Sequence, residues 1–351
     1  PLARIWSITL ETEMVLQILA LVALFAPLAL SASAFVDGAS ALSRRLGVSP
    51  LVVGLTVVAF GTSAPELVVN VFAAVGGSSG IVLGNVVGSN LFNSLVILGV
   101  AGIIVPFEVN RRATRVELPL GLLAALVLVA MAADPFLDGA PARLIGRSDA
   151  LLALGLFAVF LYTLYDAMRA GAPGVEAPDV EAPGTTAPGL LPSRPRGSGS
   201  RAVAVDFGKL PAGLAVLLVS ARLIVVLATA VAQGFGVPER IIGLTVVSIG
   251  TSLPELVTSA TAAVRREIDI AVGNVLGSNI FNVLLVLATS AIILPVPVSG
   301  DGMADLFAHL AASVLVLLFV LAGGGRRLNR IEAVLLIGSY GAYIAYSLVK
   351  A

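Results

Sequence analysis

The chain has 351 residues, of which 58% are hydrophobic and only 12% are charged, and its 21 basic and 21 acidic residues balance. Soluble domains carry about 25% charged residues, so this composition excludes a water-soluble globule. The zero net charge excludes a nucleic-acid-binding protein, which needs a basic face. The sequence contains no cysteine and one histidine, His309, which excludes thiolate and histidine-rich metal sites, and no cofactor is expected.

Ten long apolar stretches follow one another along the chain. A transmembrane helix needs roughly 20 apolar residues to cross about 30 Å of hydrocarbon. The stretches are continuously apolar and do not alternate in polarity, which favours helices over the strands of a barrel. The predicted fold class is therefore an all-α integral membrane protein, with ten transmembrane helices at 13–36, 51–75, 81–105, 118–134, 150–168, 208–232, 240–264, 270–294, 304–322 and 331–349.

A break in composition separates the fifth stretch from the sixth. Residues 169–206 are rich in proline, glycine and alanine and include GAPGVEAPDVEAPGTTAPGLLPSRPRGSGSR. Such a segment cannot bury enough apolar surface to fold, so it is predicted to be a disordered linker. The linker divides the chain into a first five-helix repeat at 1–168 and a second five-helix repeat at 207–351.

The two halves contain the same motifs. An offset of 189 positions aligns residues 54–98 with 243–287 without a gap, with 26 identities in 45 positions. Because each repeat has an odd number of spans, the second copy is predicted to enter the membrane in the opposite orientation. Inverted repeats are a transporter architecture in which the substrate is held near the midplane, where the repeats meet.

Basic residues in the short loops predict the orientation of the chain, because cytoplasmic loops carry an excess of lysine and arginine. One side has Arg44, Arg45, Arg111, Arg112, Arg115, Arg265, Arg266, Arg326, Arg327 and Arg330, whereas the other has Arg143, Arg147 and Arg240. The richer side is predicted to be cytoplasmic and to carry the linker. Both termini then lie outside the cytoplasm, in a protein of the cell (inner) membrane.

Glu66 and Glu255 occupy matching positions, each about halfway through an apolar span. A charged group at the bilayer centre costs at least about 2.5–3.5 kcal/mol, so such a residue normally faces a cavity and binds something. A protonated carboxyl or a structural hydrogen bond would be the alternative for one isolated glutamate. Two glutamates at equivalent positions of the two repeats favour a binding site.

The residues before each glutamate add oxygen donors. Pro65 and Pro254 are expected to loosen the helix around Gly61 and Gly250 and to free backbone carbonyls inside the membrane. Hydroxyl side chains lie three and four residues before each glutamate, and therefore on its face: Ser63 and Thr62, and Ser252 and Thr251. Hydrogen bonding of these hydroxyls to their own helix is the alternative.

A second shared motif, GNV-x-GSN-x-FN, places polar side chains four residues apart in an apolar span. These are Asn85, Ser89 and Asn93 in the first repeat and Asn274, Ser278 and Asn282 in the second. Direct contact with a ligand is favoured for the serines and the later asparagines, with interhelical hydrogen bonding as the alternative. The glycines of the motif, Gly84 and Gly88 with Gly273 and Gly277, are predicted to permit close helix packing.

The donors in these motifs are carboxylate, hydroxyl, amide and carbonyl oxygens. Hard oxygen donors select Ca²⁺, Mg²⁺ or Na⁺ and disfavour zinc and copper. Ca²⁺ accepts six to eight flexible oxygen ligands, whereas Mg²⁺ gives up its water reluctantly, so a protein cage favours Ca²⁺. Two carboxylates neutralise one Ca²⁺ or two Na⁺, which predicts that these ions are the substrates.

The paired motifs, AFGTSAPELV with GNVVGSNLFN and SIGTSLPELV with GNVLGSNIFN, resemble those of the sodium/calcium exchangers within the cation/calcium antiporter superfamily. The resemblance implies ten helices in two inverted repeats, with both termini outside. It also implies secondary active exchange of Na⁺ for Ca²⁺ by alternating access, in which the first and sixth helices slide over an ion-binding core. The lipid bilayer is the expected surrounding, and no obligatory protein partner is evident.

The same resemblance implies a ligand set. Glu66 and Glu255 would bind both ions, and Thr62 and Thr251 would contribute to the calcium site. Asn93 and Asn282 would border the central position, and the remaining ligands would serve the sodium sites: Ser63, Ser252, Ser89 and Ser278, with the backbone carbonyls of Ala59 and Ser248. Potassium-dependent exchangers have aspartate where this sequence has Asn282, which puts potassium co-transport in doubt.

Three other functions compete with sodium/calcium exchange. A Ca²⁺/H⁺ antiporter of the same fold would cycle protons at the glutamates, although a proton needs no cage of hydroxyls. A passive channel usually builds its pore from several subunits or a wide lumen. An intramembrane hydrolase would use Ser63 or Ser252, but neither serine has a histidine or lysine base beside it in the sequence, and the protein is expected not to be an enzyme.

Overall fold

The computed structural model describes residues 2–137, 139, 142–169, 200–235, 248–322 and 326–350. Within these ranges, eight helices are long and apolar enough to cross a membrane, and a bent pair of helices, Pro50–Thr62 and Ala64–Val75, brings the number to nine. The predicted multi-pass helical architecture is confirmed. The number of ten spans stays a prediction, since residues 240–247 of the seventh predicted span lie outside the described ranges.

The first half contains seven helices. The bent pair, α2 and α3, meets at an angle of 44°. The helices are α1 (Leu2–Leu46), α2 (Pro50–Thr62), α3 (Ala64–Val75), α4 (Ser79–Ile104), α5 (Ala113–Met131), α6 (Asp134–Leu137) and α7 (Arg147–Arg169).

The described part of the second half contains six helices. Its two short members, α9 and α10, occupy the position that α2 and α3 occupy in the first half. The helices are α8 (Ser200–Gly234), α9 (Ser248–Thr251), α10 (Leu253–Val264), α11 (Ile268–Ile293), α12 (Gly300–Ala322) and α13 (Arg330–Lys350).

Two small antiparallel sheets connect the halves, a feature that the all-α prediction did not contain. Strand β1 (Phe107–Glu108) pairs with β4 (Arg327–Leu328), and β2 (Leu144–Ile145) pairs with β3 (Val296–Pro297). In the first sheet Glu108 lies opposite Arg327, whose Nε donates to its Oε1 at 2.7 Å. Loops from different halves therefore meet at helix ends and satisfy each other's backbone groups.

Two predicted boundaries differ from the structure. Helix α1 continues past residue 36 to Leu46, and Asp37 forms an ion pair with Arg265 at the end of α10. Helix α8 begins at Ser200, inside the predicted linker 169–206. The segment Ser200–Asp206 contains neither proline nor glycine, so the composition that prevents helix formation ends before it. Linker residues 170–199 lie outside the described ranges.

Helices α4 and α11 form the centre of the molecule. In the most apolar 18-residue stretch of each helix, the buried share of residues is 72% for α4 and 78% for α11, compared with 17% for α1 and 28% for α8. Helix α11 lies close to α2, since a methyl group on Gly273 would come within 2.6 Å of the backbone oxygen of Leu51. Helices α1 and α8 pack against each other, with Gly213 against the backbone of Phe35. The central pair is thus enclosed, and α1 and α8 lie at the periphery.

Candidate functional site

Both glutamates lie in the first turn of a helix that begins at a break. Ser63 separates α2 from α3 with φ −84° and ψ 5°, and Ser252 separates α9 from α10 with φ −90° and ψ 8°. Glu66 and Glu255 follow these breaks and are fully buried. Helix N-termini carry a positive partial charge, which favours a carboxylate at this position.

The position of the break differs from the expectation. The sequence analysis placed the loosened backbone at Gly61 and Gly250, yet Gly61 lies within α2 and Gly250 within α9. Pro65 and Pro254 instead occupy the first turn of the following helices. Proline is well tolerated there because the first amide groups of a helix have no partner within it. The break therefore falls at the serine before each of these helices.

The two glutamates accept hydrogen bonds from opposite halves of the chain. Ser63 Oγ donates to Glu255 Oε1 at 3.0 Å, and Ser252 Oγ donates to Glu66 Oε1 at 3.3 Å. The second carboxylate oxygen of each glutamate is buried and has no hydrogen-bond partner among the described residues. A serine of each half thus donates to one carboxylate oxygen of the other half's glutamate, and the second oxygen can accept a further ligand.

The threonines are linked across the halves in the same way. Thr62 Oγ1 donates to Asn274 Oδ1 at 3.0 Å, and Thr251 Oγ1 lies 3.3 Å from Asn85 Oδ1. Because the asparagine oxygen accepts the hydroxyl proton, the lone pairs of the Thr62 oxygen point away from it and suit a cation. Ala59 is buried in α2, where its carbonyl accepts the amide of Ser63 at 2.9 Å.

A second layer of asparagine and serine residues supports these contacts. Asn85 Nδ2 donates to Asn70 Oδ1 at 2.7 Å, and Asn274 Nδ2 donates to Ser259 Oγ at 2.9 Å. The sequence analysis did not single out Asn70 or Ser259. The spacing in the sequence could have identified them, because each is a polar residue four positions after a glutamate and therefore lies on the same helix face.

The remaining predicted site residues come from α4 and α11. Ser89 and Ser278 are buried, and neither hydroxyl has a hydrogen-bond partner among the described residues. Asn93 and Asn282 are equally buried, and they lie in π-helical segments at Phe92–Ile97 and Asn282–Leu287. Such widened turns are frequent at functional sites. Ser248 is the first residue of α9, and its side chain lies outside the described part of the structure.

Comparison with known proteins assigns the chain to a family. The family model for the sodium/calcium exchanger protein matches residues 16–165 and 207–349. Nearly all of the residues between these two blocks belong to the predicted linker. The match therefore covers both halves of the chain.

Relatives and solved structures agree over most of the length. The inner membrane protein YrbG of Escherichia coli is 37% identical over 266 residues, covering 76% of each chain. The sodium/calcium exchanger MaX1 of Methanosarcina acetivorans is 33% identical over 88% of this chain and 92% of its own. The structure of the sodium-calcium exchanger NCX_Mj, soaked with 10 mM Na⁺, matches with a TM-score of 0.75 and 27% identity over 95% of this chain and 99% of its own. The chain therefore belongs to the sodium/calcium exchanger protein family of multi-pass membrane antiporters.

Proposed function

We propose that the protein exchanges Na⁺ for Ca²⁺ across the membrane at a site formed by Glu66, Glu255 and the oxygen donors around them. The observation that carries this proposal is the reciprocal contact of the carboxylates, in which Ser63 holds Glu255 and Ser252 holds Glu66. Each carboxylate keeps one buried oxygen without a partner among the described residues. A buried polar atom left unpaired costs about 1–3 kcal/mol, and a bound cation would remove that cost.

The orphaned atoms concentrate on the residues predicted to bind ions. Among the described residues, seven of the twelve buried side-chain nitrogen and oxygen atoms without a partner belong to Glu66, Glu255, Ser89, Ser278, Asn93 and Asn282. The orphaned oxygens of Glu66, Glu255, Asn93 and Asn282, together with the hydroxyl oxygens of Thr62 and Thr251, would give six oxygens, the lower end of the six to eight that Ca²⁺ accepts. The two carboxylates would balance the charge of one Ca²⁺, or of two Na⁺ in its place.

The serines give the sodium ions their own positions. Ser63 and Ser252 already contact a carboxylate oxygen, while the buried hydroxyls of Ser89 and Ser278 have no partner among the described residues. A sodium ion beside each serine pair would share a glutamate with the central site. Sodium and calcium would then compete for the same carboxylates, which is the requirement for exchange. Protons alone would not need these four hydroxyls.

The arrangement of the helices supports alternating access. The peripheral pair α1 and α8 packs against the broken helices before the glutamates, with Leu214 of α8 and Phe35 of α1 beside Gly61 and Val225 of α8 beside Gly250. Movement of this pair would open the site to one side of the membrane and then to the other. The reciprocal serine, threonine and strand contacts between the halves are what inverted repeats would produce, and they support two inverted five-helix repeats. The excess of arginine in the loops of one side supports both termini lying outside the cytoplasm.

The decisive experiment measures uptake of ⁴⁵Ca²⁺ into proteoliposomes loaded with Na⁺, with and without an outward Na⁺ gradient. We expect the native protein to take up Ca²⁺ only with the gradient, and Glu66→Gln to reduce uptake to the level of empty liposomes. Glu108→Gln is the matched control, because Glu108 is an exposed carboxylate in β1 whose ion pair contributes little. Uptake that ignores Na⁺ and follows a pH gradient would replace this proposal with a Ca²⁺/H⁺ antiporter.

A further inference from the structure

A chain of hydrogen-bonding side chains lies behind Asn282. It runs from His309 in α12 through Asn90 in α4 to Asn282 in α11, and all three side chains are buried. Asn282 Nδ2 donates to Asn90 Oδ1 at 3.0 Å, and Asn90 Nδ2 lies 3.4 Å from His309 Nε2. The ion-exchange scheme above uses neither Asn90 nor His309.

A backbone carbonyl determines the orientation of the Asn90 amide. Asn90 Nδ2 lies 3.2 Å from the carbonyl oxygen of Asn279, and a carbonyl oxygen can only accept a hydrogen bond. The amide nitrogen of Asn90 must therefore face this carbonyl, which directs its Oδ1 to Asn282. Because Oδ1 can only accept, Asn282 must present its own amide nitrogen to Asn90. The oxygen of Asn282 is then left for the ion site, where it is buried without a protein partner among the described residues.

His309 secures the second hydrogen of the Asn90 amide. The Asn90 atom that faces the ring is Nδ2, which can only donate, so His309 Nε2 must accept. The proton of the neutral imidazole is then on Nδ1. Rotating the Asn90 amide by half a turn would place its oxygen against two acceptors, the Asn279 carbonyl and His309 Nε2. The histidine thereby opposes the rotation that would release Asn282.

The equivalent position of the first half lacks this support. Both amide atoms of Asn93 are buried without a hydrogen-bond partner among the described residues. Asn279, the counterpart of Asn90, donates instead to Ser94 Oγ at 2.7 Å. The sequence has a single histidine, so no second His309 exists for the first half. The two asparagines at the site therefore differ, with Asn282 held and Asn93 able to turn.

We propose that His309 and Asn90 are positioning residues that hold the side-chain oxygen of Asn282 toward the calcium ion. This inference rests on the proposed ion site, and it gives the asparagines of the two halves different roles at that site. Asn282 is a fixed oxygen donor, whereas Asn93 adapts to the ion that is bound. A fixed donor lowers the entropy lost when a cation binds, so its release lowers the affinity for Ca²⁺.

Equilibrium binding of ⁴⁵Ca²⁺ to the purified full chain tests this inference and needs no coupling ion. We expect His309→Phe, which keeps an aromatic ring but removes the acceptor, to raise the Kd for Ca²⁺ roughly fivefold, the size expected for one buried hydrogen bond. His309→Gln places an amide oxygen near the position of Nε2 and is expected to restore most of the affinity. Ser313→Ala, one turn further along α12, is the control and should bind as the native chain does.

A double-variant cycle separates positioning from packing. If His309 acts through Asn282, adding His309→Phe to Asn282→Ala leaves the Kd of Asn282→Ala unchanged. An additive loss in the double variant, a native Kd for His309→Phe, or a His309→Gln that binds as weakly as His309→Phe would each overturn the inference. His309→Met repeats the measurement if the phenylalanine variant does not fold. Failure of sodium exchange would appear in the uptake experiment and leave this binding comparison intact.

Discussion

At the scale of single residues, the proposed ion site depends on hydrogen bonds between named side chains of the two halves. The glutamates are recognisable in the sequence because inserting a carboxylate into an apolar span costs free energy, so such a residue normally has a binding function. Their partners are not recognisable, because Ser63 bonds to Glu255 and Thr62 to Asn274, residues about two hundred positions away along the chain. The asparagines Asn85 and Asn274 were predicted to lie on a polar stripe, and the structure shows that they hold the threonines.

Removing one of these supporting amides should weaken calcium binding without abolishing it. Asn274→Ala removes the nearer acceptor of Thr62 Oγ1 and leaves its hydroxyl only the longer contact to the Ala59 carbonyl at 3.4 Å. The loss of about 1 kcal/mol for one hydrogen bond corresponds to roughly a fivefold increase in the Kd for Ca²⁺, measured by ⁴⁵Ca²⁺ binding. Ser339→Ala, at a partly exposed serine on α13 that bonds within its own helix, serves as the control. An unchanged Kd in Asn274→Ala would show that Thr62 does not depend on this amide.

At the scale of helices, close packing is seen at a glycine of the second repeat. The sequence predicts the same role for Gly84 and Gly273, which occupy equivalent places in the second motif. In the structure, a methyl group on Gly273 would lie 2.6 Å from the backbone oxygen of Leu51. Close packing at Gly84 stays a prediction, because the residue equivalent to Leu51, Arg240, lies outside the described ranges.

This close approach predicts opposite results for two alanine substitutions. Gly273→Ala should lower the thermal midpoint in detergent, because the methyl group forces α2 and α11 apart and overpacking costs about 1–3 kcal/mol. Gly155→Ala, at an exposed position of α7 where a methyl group would meet no described residue within 4 Å, should leave the midpoint unchanged or raise it, since alanine is favoured over glycine in a helix by about 1 kcal/mol. Equal midpoints for the two variants would contradict the close approach of α2 and α11.

At the scale of the whole molecule, the two halves are joined by reciprocal contacts. Hydrogen bonds of serine and threonine side chains join the halves at the centre. The strand pairs β1–β4 and β2–β3 join them at the ends of the helices. An ion bound at the proposed site would therefore contact both halves at once. The orientation of this assembly in the membrane is predicted from the loop arginines.

Labelling can test that orientation directly, because the sequence has no cysteine. Arg111 and Arg143 are both exposed and precede and follow α5, at its opposite ends. We expect Arg143→Cys to react with a membrane-impermeant maleimide in intact cells, and Arg111→Cys to react only after the membrane is permeabilised. The native chain is the control and should not react. The reverse pattern would place the linker and both termini on the opposite sides.

The sequence by itself determined what is set by composition and repetition. Continuous apolar stretches require helices in lipid, and two identical motifs mark the glutamates, hydroxyls and asparagines as a group. Only the tertiary structure decided how the group is joined: the break at Ser63 and Ser252, the exchange of hydroxyl bonds between halves, and the support of Asn282 by Asn90 and His309. These contacts bring together residues that are far apart in the chain. No local pattern records them, because an interior hydrogen bond depends on which groups packing places within about 3 Å of each other.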